Sequence, residues 1–205
     1  MKLNFLKIIF IILIVMVSII FLEDRYNLIL SKKYQNKDLE DILIIENFFD
    51  KKTFNKITDL VLNYSNKYKK TTKNILRKGS AYNYHQIKNT ELEGLIDIFN
   101  SNKFLAHFTK KTGYKNIQYS PATDPNRLSV LFYDKPGDNI KWHKDVNAYH
   151  GNRLALIYTI YNKDKSRKNK SSARFVYKKN NKTKKYNNEE NSLVVFKGDK
   201  LLHKV

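Results

Sequence analysis

From residue 8 to residue 22 the only polar side chain is Ser18, and no water-soluble domain of ordinary size leaves such a run uncovered. With Leu3, Phe5 and Leu6 it makes a nearly apolar stretch of roughly 20 residues, the length at which a helix crosses a bilayer. A cleaved signal peptide would end its apolar core in small residues, whereas here Ile19, Ile20, Phe21 and Leu22 run directly into Glu23 and Asp24. The expectation is one transmembrane helix within residues 1–25, touching the membrane through residues 5–22. Lys2 and Lys7 precede the run and Glu23-Asp24-Arg25 follows it. That bias predicts a single-pass protein with a cytosolic N-terminus and a lumenal domain, in the endoplasmic reticulum or elsewhere in the secretory pathway. Sequons at Asn63, Asn169 and Asn181 suit that placement but come cheaply in a chain so rich in Asn, Ser and Thr.

Residues 26–40 are polar, with Lys32, Lys33 and Lys37, and read as a stalk. The remaining residues, 41–205, are enough for one core. Asp50 is placed to cap a helix over residues 51–66 with Phe54, Ile57, Val61 and Tyr64 on one face. A second helical region carries Leu92, Leu95, Ile96 and Phe99, restarts at Ser101 and stops at Gly113. Beyond Gly113 the pattern changes to strand-like runs at 127–133, 153–161, 174–177 and 192–196. Helices followed by short strands predict an α+β unit in which helices pack on an antiparallel sandwich or barrel.

The chain has 39 Lys and Arg against 19 Asp and Glu. Such an excess favours an anionic partner, and a basic membrane-surface or nucleic-acid-binding protein is one alternative reading. The charge is diluted, however, by the Lys, Asn, Ile, Tyr and Phe that AT-rich codons supply throughout, which argues against nucleic acid. Eleven of the cations lie between residues 163 and 185, with Asp164 the sole acid there. This segment is expected to form a long solvated hairpin loop, or else a surface for an acidic partner. With no cysteine in the chain, a metal must be held by His, Asp or Glu.

Trp142-His143-Lys144-Asp145 follows the turn 134–138, and alternation along a strand puts His143 and Asp145 on one face. With five His and twelve Asp, about 0.3 H-x-D matches arise by chance, so the pair needs support. His203 supplies it, standing beyond the apolar run 193–196 and the turn Lys197-Gly198-Asp199. Two His and one carboxylate leave room on a metal for a chelating cosubstrate and dioxygen, as Fe(II) oxygenases require, although a zinc hydrolase can use the same donors.

Four segments in order carry a resemblance. Arg127-Leu-Ser-Val-Leu-Phe-Tyr133, the stretch from Lys135-Pro-Gly to Trp142-His143-Lys-Asp145, Asn152-Arg-Leu-Ala-Leu-Ile-Tyr-Thr-Ile-Tyr-Asn162, and Asn191-Ser-Leu-Val-Val-Phe-Lys-Gly-Asp-Lys-Leu-Leu-His203 resemble successive core strands of the prolyl-4-hydroxylase-like 2-oxoglutarate/Fe(II)-dependent oxygenases. The resemblance implies a double-stranded β-helix (jelly-roll) core with N-terminal helices packed on it. It implies Fe(II) held by His143, Asp145 and His203, 2-oxoglutarate as cosubstrate, with ascorbate a further candidate, and hydroxylation of a protein or peptide side chain, prolyl first; the basic segment after Lys163 would then help hold an acidic substrate. Tyr133 would hydrogen-bond the cosubstrate. The family grips the distal carboxylate of 2-oxoglutarate with an Arg or Lys on a strand after the second His, and this sequence ends at Val205. The domain is therefore expected to lack its last strand or strands, with Arg153 the substitute cation. A truncated or inactive binding module is the alternative of a different class.

Overall fold

The computed structural model describes residues 42–65, 72–73, 76–149, 152–163 and 169–205. The expected anchor (1–25) and stalk (26–40) lie outside the described residues; among those described, no helix is long and apolar enough to cross a membrane. The chain divides into two compact units, one comprising residues 1–37 and 147–153, the other 38–146 and 154–205. In the first unit the described part is a short turn in which Tyr149 N donates to Asn147 Oδ1 (3.1 Å) and the Arg153 guanidinium lies 5.5 Å over the Tyr149 ring.

In the second unit the chain opens on β1 (Ile42–Ile45) and then enters α1 (Lys51–Ser65). Asp50 caps α1 as expected: its carboxylate accepts from Thr53 N (2.9 Å) and Thr53 Oγ1 (2.8 Å), bonds that hold Asp50 below the usual carboxylate range. Ile57, Val61 and Tyr64 are buried on one face of α1, each contributing about 1.5–3 kcal/mol through lost apolar exposure. After β2 (Thr72–Lys73) and β3 (Arg77–Asn83) come α2 (Tyr84–Ile87), α3 (Glu93–Phe99) and α4 (Asn102–Thr112). Ser101 Oγ accepts from Phe104 N at the start of α4, and Gly113, at φ +72°, ends it with the left-handed residue that glycine adopts without strain.

The second half is built of β4 (Ser129–Phe132), β5 (Asn139–Ile140), β6 (Leu154–Thr159), β7 (Phe175–Lys179), β8 (Lys182–Tyr186), β9 (Ser192–Lys197) and β10 (His203–Lys204). All pairings are antiparallel: β1-β9-β6 form one sheet, β10-β7-β8 a second, and β2-β3-β4 a third with β5 also on β3. β9 is central, and its side chains split between two cores. Leu193 and Val195 join Phe48, Phe49, Ile57, Phe104 and Phe108 on the helical side, while Val194 and Phe196 meet Phe175, Tyr177 and Leu201 from the facing sheet. Burial on both faces explains why this strand reads as a continuous apolar run instead of an alternating one.

Three expectations are corrected. β1, β2 and β3 precede most of the helices, so the order is not helices first and strands afterwards. The basic segment 163–185 is not one solvated loop: β7 and β8 pair residue for residue from Phe175↔Tyr186 to Lys179↔Lys182. β8, Lys-Thr-Lys-Lys-Tyr, is exposed over its first four residues, an edge strand whose lysines discourage pairing with another chain. The run at 127–133 begins as a 3₁₀ turn (Pro125–Arg127), and its strand is confined to β4.

Candidate metal centre

The site lies where the end of β5 meets β10. Ile140 and Val205 exchange both backbone hydrogen bonds (3.0 and 3.2 Å), and so do His143 and His203 (2.9 Å each). Between these two pairs Lys141 and Trp142 oppose the single residue Lys204, which is a β-bulge. The extra residue turns His143 to the same face as Ile140, Val205 and His203, the face on which Val205 packs against the core that contains Phe175 and Phe196. Trp142 is left on the other side, where the Lys178 and Lys204 ammonium groups lie 5.4 and 5.1 Å from its ring, a packing and cation–π role.

His143, Asp145 and His203 each offer a donor atom, and these atoms all lie within 4.8 Å of one another. His143 Nε2 is 3.6 Å and His203 Nε2 is 3.9 Å from Asp145 Oδ1, and the imidazole centroids are 4.2 Å apart. Each imidazole is oriented by its other nitrogen, with His143 Nδ1 2.8 Å from Lys141 O and His203 Nδ1 2.9 Å from Leu201 O. A carbonyl can only accept, so each Nδ1 carries the proton and each Nε2 presents a lone pair to the common centre. His203 is buried against Phe196 and Phe175, with ring centroids at 4.7 and 5.8 Å. That burial pushes its imidazole below the usual range; the Leu201 carbonyl opposes the shift, the nearby His143 adds to it, and Asp145 opposes it. The neutral form favoured by burial is the form that binds a metal.

Asp145 is held by its backbone, N donating to Gly198 O at 2.9 Å. Gly198 also makes the space its carboxylate fills: a Cβ at position 198 would overlap Oδ2 and stand 2.8 Å from Cγ. Along the sequence Gly198 is marked only as a turn residue. Its closeness to Asp145 arises from contact across 53 positions of chain and has no local signal.

Tyr133 follows β4, its ring resting on Gly79, where a Cβ would meet Tyr133 Cδ1 at 3.0 Å and Phe132 O at 2.9 Å. Gly79 has φ +132°, a backbone that side-chain-bearing residues rarely adopt. The Tyr133 hydroxyl is buried with no hydrogen-bond partner in the structure. Burial raises its pKa, Arg77 nearby lowers it and Asp138 raises it, so at neutral pH the phenol keeps a proton to donate. Of the other histidines, His107 Nε2 lies 2.7 Å from Phe48 O and its ring stacks on Phe49 in the helical core, while His85 Nε2 sits 3.4 Å from Thr123 O; neither joins the centre.

The donor set fits a divalent transition metal. Two imidazoles and one carboxylate on one side of an octahedron are the arrangement of non-haem Fe(II) oxygenases, and bonds of about 2.0–2.2 Å from each donor require only a small contraction of the cluster.

No family profile and no curated protein sequence matches the chain. Solved structures do. A prolyl hydroxylase from Trichoplax adhaerens, in complex with a hypoxia inducible factor oxygen degradation domain peptide fragment, superposes with a TM-score of 0.55 at 16% identity, over 89% of this chain and 85% of that one. A prolyl-4-hydroxylase from Pseudomonas putida gives 0.54 at 7% identity, over 80% and 84%. The fold is thus the jelly-roll core, with accompanying helices, of the prolyl-4-hydroxylase-like structures.

Proposed function

We propose that the chain is an Fe(II)- and 2-oxoglutarate-dependent dioxygenase that hydroxylates a protein or peptide side chain, with prolyl residues the first candidates. The observation that carries this reading is the His143–Asp145–His203 cluster with both Nε2 atoms turned inward. The fold agrees, and one structural neighbour is a prolyl hydroxylase holding a peptide.

His143, Asp145 and His203 would hold the iron, which when bound supplies the redox chemistry that couples cosubstrate decarboxylation to substrate oxidation. The protein's own part is positioning. The carbonyls of Lys141 and Leu201 keep both imidazoles in the ligating tautomer, and Gly198 seats the carboxylate. Phe175 and Phe196 pack beside His203 and keep water from its rear. Tyr133 brings a protonated phenol that can donate to a cosubstrate oxygen. Arg153 remains the sequence's candidate cation for the distal carboxylate.

The full chain supplied with Fe(II), ascorbate and 1-labelled 2-oxoglutarate is expected to release labelled carbon dioxide, faster when proline-containing peptides with acidic flanks are added. His203→Ala should abolish release. Absence of release from the unsubstituted chain under all these conditions would leave a binding module in place of an enzyme.

Membrane attachment through residues 5–22, with the domain in the lumen, belongs to the same proposal and rests on the apolar run and on the charges that flank it. When expressed in microsomes, the chain is expected to stay with the membrane in alkaline carbonate and to resist added protease. Release by carbonate refutes the anchor, and digestion of the domain refutes its lumenal side.

A further inference from the structure

The sheet that presents His203 to the metal centre has a second face, turned outward and rich in cations. His203 and Lys204 are successive residues of β10 and project to opposite sides. Lys204 pairs with Val176, and Val176 with Lys185. Directly paired residues of antiparallel strands share a face, so Lys204 and Lys185 stand together on the outer side of the β10-β7-β8 sheet. Lys178, two residues along from Val176 and paired with Thr183, stands there too. The inner side is the one on which Phe175 and Tyr177 enter the core. β7, β8 and β10 contain no Asp or Glu.

Trp142 gathers two of these charges. The bulge that turns His143 inward leaves the indole outside, with the Lys178 and Lys204 ammonium groups 5.4 and 5.1 Å from its ring centroid. Neither ammonium group makes an ion pair with an acid among the described residues. Two cations drawn to one ring repel each other, and a carboxylate arriving between them turns that repulsion into attraction. Lys178 and Lys185 are exposed and Lys204 is half-buried, so the cluster is open to a partner.

The chemistry of the face selects among anionic partners. An indole already engaged by two cations is no open platform for a nucleic-acid base, which needs a free aromatic face. No large apolar side chain of β7, β8 or β10 is exposed, so these strands have nothing to insert into a bilayer. An extended acidic peptide fits better. Its alternate side chains recur about every 7 Å, close to the spacing of same-face neighbours along and diagonally across these strands.

We propose that the outer face of the β10-β7-β8 sheet, centred on Trp142, Lys178 and Lys204, docks an acidic stretch of a protein partner in extended form. The docking does not depend on what the metal centre does. Where the chain works as the hydroxylase proposed above, the docked stretch belongs to its protein substrate, apart from the segment that reaches the metal.

Trp142 is the single tryptophan of the chain, so its fluorescence reports directly on this face. The full chain, in phosphatidylcholine nanodiscs, is titrated with an acetylated octaglutamate peptide, with no cosubstrate and no turnover. A saturable change in Trp142 emission is expected, weakening as added salt shortens the Debye length from about 10 to about 3 Å. Substituting Lys178→Gln and Lys204→Gln together should weaken binding by about 10- to 25-fold, roughly three- to fivefold for each exposed charge, with circular dichroism unchanged. Lys110→Gln with Lys111→Gln removes the same charge from the end of α4 and should change the affinity by less than about twofold. An equal loss in both double variants would reduce the effect to net charge and overturn the proposal. An absent or salt-insensitive response overturns it too, as does tighter binding to an oligouridylate or to phosphatidylserine vesicles than to the peptide. None of these outcomes bears on the oxygenase reading, which the release of labelled carbon dioxide decides.

Discussion

Replacing Gly198 with alanine is expected to lower affinity for Fe(II) or its Mn(II) surrogate by about 100-fold or more, although position 198 ligates nothing. Its added Cβ would occupy the volume of the Asp145 carboxylate and would also stand 3.0 Å from Ala155 Cβ, a fixed atom that leaves it little room to shift. Asp145 must then rotate away from His143 and His203, and a centre reduced to two imidazoles has lost its one charged donor. The backbone hydrogen bond from Asp145 N to Gly198 O survives the substitution, so helix and sheet content should be unchanged by circular dichroism. Asp145→Ala should show a comparable loss. A Gly198→Ala protein whose Mn(II) titration lies within a few-fold of the unsubstituted chain would mean the carboxylate is not seated as described.

The largest effect on stability is expected at Asn191, a residue outside the His143–Asp145–His203 cluster. Its side chain accepts from Phe49 N (3.0 Å) and Tyr158 Oη (2.8 Å), and its amide donates to Phe49 O (2.8 Å). Its backbone bonds Phe48 N and Thr159 O (2.8 Å each). One side chain thus ties the segment before α1 to β6 and β9 in the middle of an aromatic cluster. Burial raises the pKa of the Tyr158 phenol, which stays protonated and must donate to something. Asn191→Ala would strand three buried polar groups, each costing about 1–3 kcal/mol, for a total of roughly 4 kcal/mol. At φ +60° alanine also adds backbone strain that asparagine tolerates better. Asn191→Gly removes that strain but not the lost hydrogen bonds, so the two variants should differ by only a small fraction of the total in urea denaturation. A loss below about 1 kcal/mol for Asn191→Ala would contradict the network.

What could be read in advance follows a physical pattern. α1, α3 and α4 announce themselves through local features: Asp50 and Ser101 as caps, Gly113 as a stop, and apolar residues at helical spacing. β6, β7 and β9 are visible as apolar runs, and in β9 the cause is burial on both faces. His143, Asp145 and His203 are legible because metal chemistry restricts residue type and spacing. β3, Arg-Lys-Gly-Ser-Ala-Tyr-Asn, is not, since much of its order comes from backbone pairing with β4 and β5. β8 looks like a loop for the same reason: at an edge the side chains belong to solvent, and backbone hydrogen bonds leave no mark on composition. The closeness of Gly198 to Asp145 and of Gly79 to Tyr133 exists only once distant segments meet, and a single sequence read along its length has no means of showing it.

The shared strand β9 has a further consequence. Because its two faces feed separate cores, it has no solvent-facing side on which substitutions could accumulate harmlessly. Drift in the helical layer and drift around the His143–Asp145–His203 cluster are therefore answered by the same six residues, Ser192–Lys197. A change that suits one layer is judged at once by the other. The two faces of the strand are in this sense inherited as one, and the end that carries the His–Asp–His cluster can diversify only within limits that the packing of helices on its far side already sets.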